Sequence, residues 1–103
     1  MKQELQDKLF EKYPKIFRRK DLSPQETCMA WGIECGDGWY DIIYALCRCM
    51  QNHSTQVEIE QIKSKTGSLR IYANCNHPYV QGIIQMAEVI SCTISEHSPC
   101  KKQ

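Results

Sequence analysis

Apolar positions recur along this chain with two different periods, and the changes of period divide it into elements. Leu5, Leu9 and Tyr13 fall four residues apart with Phe10 beside them, which predicts an amphipathic helix over residues 3–13. Pro14 disfavours helical geometry at Tyr13 and ends it, and Ile16 and Phe17 add an apolar contact beyond the break. Residues 21–27, with Pro24, read as a connector. Residues 30–34 read as a short extended piece before a Cys-Gly-Asp-Gly turn at 35–38. Asp37 is placed to cap the helix that follows. In that helix Trp39, Ile42, Ile43, Leu46, Cys49 and Met50 form one stripe, the strongest core signal in the chain, running to about Asn52. Asp41, Tyr44, Arg48 and Gln51 lie away from the stripe, and Cys47 flanks it.

The period then becomes two. Val57 and Ile59 alternate with Glu58 and Glu60, and Leu69, Ile71 and Ala73 alternate with Arg70 and Tyr72. Two strands, over 56–63 and 68–74, are joined by the turn residues 64–67 as an antiparallel hairpin. Asn76-His77-Pro78 starts a last helix whose apolar face, Val80, Ile83, Ala87, Ile90 and Ile94, carries it to Cys92 or Ile94. The order α-α-β-β-α predicts an α+β fold with helices packed on one face of a small antiparallel hairpin sheet. One domain spans residues 1–94, and 95–103 form a flexible polar tail.

Composition changes this picture little. The chain has 103 residues, 42% hydrophobic and 24% charged, with a net charge of +1. No bulk electrostatic drive toward nucleic acid or an anionic membrane follows from that balance. The basic cluster Lys15, Arg18, Arg19 and Lys20 runs straight into Asp21 and reads as a solvated helix end. There is no apolar run of membrane-spanning length and no apolar signal core at the start, so a cytoplasmic location is expected. In that compartment the seven cysteines are thiols or metal ligands.

Both tryptophans, two cysteines, three of the five glycines and two acids fall within residues 28–40. These and the remaining polar residues suggest several chemistries. Zinc would need Cys75, His77, Cys92, His97 and Cys100 to converge. They flank a helix about 22 Å long and lack paired Cys-x-x-Cys spacing, so neither zinc nor another cofactor is expected. Cys35 precedes a helix start, where a thiolate is favoured, but no cysteine-enzyme signature surrounds it, and it reads as a structural thiol. Glu34 and Asp37 could serve as paired carboxylates, or with Trp31 line a small-ligand or nucleotide pocket. A phosphate at the 35–38 turn would meet the charge of Asp37. The last pattern is a mixed charged and aromatic face on the hairpin, with Lys63, Lys65, Arg70 and Tyr72, suited to a protein partner. Its plain alternative is a solvated face of cross-strand charge pairs with Glu58 and Glu60.

Four segments carry a resemblance. Glu-Lys-Tyr-Pro at 11–14, Glu-Thr-Cys-Met at 26–29, Trp-Gly-Ile-Glu-Cys-Gly-Asp-Gly-Trp at 31–39, and Val-x-x-x-Gln-x-Lys-x-Lys-x-Gly-x-Leu-Arg-x-Tyr at 57–72 are similar to a family of small, functionally uncharacterised proteins of tailed bacteriophages and prophages. Many relatives end in a Cys-x-x-Cys-Gly knuckle, which this chain lacks. The resemblance implies a setting inside a bacterial host cell and a non-enzymatic accessory role: binding a host protein, including a component of antiviral defence. Trp31, Glu34 and Asp37 with the outer hairpin face would supply the contact surface. A ligand-sequestering protein and a small zinc protein are the alternative readings.

Overall fold

A computed structural model describes residues 1–22, 25, 29, 32–53 and 56–97. Three helices, α1 (Gln3–Lys12), α2 (Tyr40–Asn52) and α3 (Pro78–Ser91), accompany three strands, β1 (Ile33–Glu34), β2 (Ile59–Lys65) and β3 (Ser68–Ala73). Short 3₁₀ turns occupy Arg18–Asp21 and Asp37–Trp39. The fold is α+β. The sheet, however, is not the antiparallel hairpin alone that the pattern predicts. β1 pairs parallel to β2, Ile33 opposite Ile62 and Glu34 opposite Lys63, which makes a mixed sheet in the order β1-β2-β3. The element order therefore gains a strand before α2. A parallel neighbour needs a long crossover, and α2 with its flanking loops supplies it.

The hairpin contains a phase change that simple alternation misses. Ile59 and Ile62 are three residues apart, so a regular strand would put them on opposite faces. An irregularity in the register between Ile59 and Gln61 takes up the extra residue, and both isoleucines are fully buried. From there the inward pairs are Ile62 with Ile71 and Ser64 with Leu69. The reversal is a two-residue loop, Thr66-Gly67, with both φ angles positive, at 51° and 80°. That geometry matches the right-handed twist of the strands.

Leu9, Phe17, Trp39, Ile43, Ile62, Leu69 and Val80 belong to a single core between helices and sheet. Tyr13 at the end of α1 meets Tyr44 of α2 edge to face at 5.6 Å. In α2 the fully buried thiol is Cys47, while Cys49 is half-exposed. α3 is rotated relative to the face read from its sequence. Its buried line is Val80, Ile84, Ala87 and Ser91, whereas Ile83 is half-buried and Ile90 is exposed.

The polar Ser91 displaces an isoleucine from the core for a specific reason. Its hydroxyl donates to the Glu88 carbonyl at 2.5 Å and accepts the Leu69 N–H at 2.9 Å. The Glu88 carboxylate accepts the next outward N–H of β3, that of Ile71, at 3.1 Å. Two backbone donors on the outer edge of β3 are thus satisfied by α3 side chains, as burial of that edge demands. Among the described residues no helix is long and apolar enough to cross a membrane.

Candidate functional site: the junction and the outer sheet face

The glycines of the 35–38 turn are explained by what lies against them. Gly36 has φ −78°, so no left-handed geometry requires a glycine there. Instead, the backbone carbonyl of Ser95 sits where a Cβ on Gly38 would have to be, and where one on Gly36 would have to be sits the carbonyl of Glu96. The Gly38 N–H donates to that carbonyl at 2.6 Å, and the Gly36 N–H donates to the Glu96 carboxylate at 3.0 Å. Ser64 of β2 donates to the other carboxylate oxygen at 2.9 Å. The Trp39 indole N–H, from a fully buried ring, donates to the Ile94 carbonyl at 2.8 Å. Glu96, inside the expected polar tail of 95–103, is thus tied to the turn and to β2, and Ile94 at the end of the expected domain is tied to Trp39, while 98–103 lie outside the described residues.

Asp37 does not cap its own helix. Its carboxylate accepts the backbone N–H of Lys2, at the start of α1, at 2.7 Å, and the Lys2 ammonium lies 3.9 Å away. The residue is a tie between α1 and the turn. Cys35 is buried beside it, and desolvation pushes its thiol up to about 12. Cys47 is shifted in the same direction by burial. Thiols held protonated at neutral pH are poor nucleophiles.

Five of the seven residues proposed for binding share the outer face of the sheet. The register runs Glu34, Lys63, Arg70 across three adjacent strands. Tyr72 lies two positions from Arg70 along β3, and Lys65 two from Lys63 along β2. Tyr72 is 46% exposed, large for an aromatic ring. Glu58 and Glu60 do not pair with these cations as the hairpin pattern suggests. Glu58 receives Arg18 and Arg19, each at 3.0 Å, and Glu60 lies 3.6 Å from Arg19. The basic cluster near residue 18 is therefore partly neutralised inside the fold. On the outer face Lys63 stands between Glu34 on one side and Arg70 on the other, so a like-charge pair lies beside an opposite-charge pair. Arg70 reaches one acid, Glu88, at 3.9 Å. Of the remaining two proposed residues, Asp37 faces Lys2 rather than the sheet surface, and Trp31 lies outside the described residues.

The residues considered above as candidate zinc ligands lie apart where the structure describes them. Cys75 and His77 precede α3 and Cys92 follows it, at opposite ends of a 14-residue helix about 21 Å long. His77 is the helix cap, its Nδ1 accepting the Tyr79 N–H at 3.1 Å. His53 packs against it with ring centroids 4.5 Å apart. Among the described residues no group of three or more His, Cys, Asp or Glu side chains is placed to hold a metal ion. Cys100 lies outside the described residues.

Comparison of the chain with protein-family models, with curated proteins and with solved structures finds no match.

Proposed function

We propose that this chain is a non-enzymatic accessory protein of phage or prophage origin that acts in the bacterial cytoplasm by binding a host protein, and that its contact surface is the outer face of the sheet. The supporting observation is the placement of Lys63, Lys65, Arg70 and Tyr72 together on a face that the helices leave open. An exposed tyrosine flanked by an arginine and two lysines provides rigid aromatic area with directional donors, the chemistry enriched at interface hot spots. The opposed Lys63 and Arg70 are relieved when an acidic partner approaches. Inhibition of a host antiviral component is the role that this surface and the resemblance to phage proteins favour together.

The test is capture of partners from a bacterial lysate with the intact chain and with a Tyr72→Ala, Arg70→Glu double variant. A partner retained in stoichiometric amount by the native chain and lost by the variant, with unchanged thermal stability, is the expected result. Equal retention by both would move the contact surface elsewhere. Absence of any stoichiometric partner would overturn the reading.

A further inference from the structure

The helix layer carries a second surface, of opposite character. The outermost line of α3 is Tyr79, Gly82, Met86 and Val89, spaced 3, 4 and 3 residues apart, the spacing of a helix–helix seam. Met86 is 58% exposed and Val89 61%, and Ile90 beside them is 39% exposed. The only charged residue of α3, Glu88, is turned toward β3. Gly82 is a glycine in a helix interior, which costs about 1 kcal/mol relative to alanine. Among the described residues, its own helical turn aside, no atom lies within 4 Å of where its Cβ would be, so no packing contact among them accounts for the missing side chain. Small residues in such a seam let another backbone approach closely.

Between this line and α2 runs an apolar groove of about 280 Å³, bordered by Ile42, Ala45, Cys49, Ile83, Met86 and Ile90. The exposed stripe of α2 beside it reads Asp41, Ala45, Arg48 at spacings of 4 and 3. Asp41 and Arg48 are exposed, and among the described residues neither has an ion-pair partner. Opposite charges therefore stand about 10 Å apart along one stripe, with a small apolar residue between them. That arrangement is complementary to itself under a two-fold rotation. A second copy laid antiparallel about an axis near Ala45 brings each Asp41 against the other chain's Arg48 and seats the two apolar lines together.

We infer that the chain forms a symmetric dimer through the α2–α3 face, with Met86 and Val89 buried at its centre and two reciprocal Asp41–Arg48 ion pairs at its rim. The interface is isologous, so it closes at two copies. It leaves the outer sheet face of each copy open.

Sedimentation of the intact chain tests this. The native protein is expected to sediment as a dimer at micromolar concentration. Asp41→Arg and Arg48→Asp are each expected to weaken association at least tenfold by opposing like charges, and the double reversal, Asp41→Arg with Arg48→Asp, to restore it. Met86→Glu should give a monomer with native helix content. Both charged positions are exposed, so their variants keep the test decisive if Met86→Glu fails to fold. A native chain that stays monomeric up to about 1 mM, or single reversals that leave association unchanged, would overturn the dimer. Binding of a monomeric chain to phosphatidylglycerol vesicles, lost in Met86→Glu, would also overturn it and assign the face to a lipid surface.

Discussion

Gly36 and Gly82 are the same residue in opposite circumstances. At Gly36 the missing side chain makes room for the backbone of Glu96, and the N–H groups of Gly36 and Gly38 both find acceptors on Glu96. At Gly82 the missing side chain makes room for nothing among the described residues. The first glycine belongs to a motif dense in unusual residues, Glu-Cys-Gly-Asp-Gly-Trp, which looks like an active centre. The second sits in an ordinary helix. Yet the first is consumed by architecture, and the second lies on a surface open to a partner. Residue density marks where a fold is demanding, and an unexplained cost marks where something outside the fold is expected.

Four measurements sharpen or break that contrast. The largest effect is expected for Gly36→Ala, whose Cβ collides with the Glu96 carbonyl. A loss of roughly 2–3 kcal/mol is expected in denaturant unfolding, with residues 94–97 displaced. An unchanged midpoint would mean that this segment does not rest on the turn. Ser91→Ala should cost about 2 kcal/mol, because the Leu69 N–H is left without its acceptor at a buried edge.

The junction should also weaken in alkali. Burial raises the Cys35 thiol from 9.0 to about 12, so between those values the unfolded chain releases a proton that the folded chain keeps. The stability contributed is full below pH 9 and is lost as pH rises toward 12. A Cys35→Ala variant should show a shallower alkaline decline in a pH series of thermal unfolding. The smallest effect is expected at the open glycine. Gly82→Ala, measured at concentrations where the chain is monomeric, should gain up to about 1 kcal/mol from helix propensity. A loss there would show that the position is crowded after all.

The elements that could be read from the sequence are those whose determinants are local. Of the predicted α2 stripe, Trp39, Ile42, Ile43, Leu46 and Met50 are in the core, whereas Cys49 is half-exposed and Cys47, read as flanking the stripe, is fully buried. Pro14 ended α1, and Thr66-Gly67 reversed the hairpin. What escaped the reading depends on contacts between distant residues. Nothing near Ile33 and Glu34 says that they will pair with Ile62 and Lys63. The irregular register after Ile59 is visible only as two isoleucines three apart. Ser91 looks like the end of a polar surface until the unpaired edge of β3 is set beside it. The grouping of Lys63, Lys65, Arg70 and Tyr72 was legible because strand alternation is local. The addition of Glu34 to that face, and the removal of Asp37 from it, rest on pairings 29 and 35 residues apart in the chain.

The Ser91 and Glu88 hydrogen bonds have one more consequence. A sheet with a bare flank is a template on which stray peptide segments polymerise, and small proteins with exposed hairpins are prone to fibre growth. Here β3 cannot accept a guest strand without first surrendering two bonds to α3, and the opposite flank, β1, is two residues long. Recruitment by strand addition is blocked on one side and starved of length on the other. Association is thereby steered to side-chain surfaces, where specificity can be written in charge and shape rather than in backbone that every polypeptide shares.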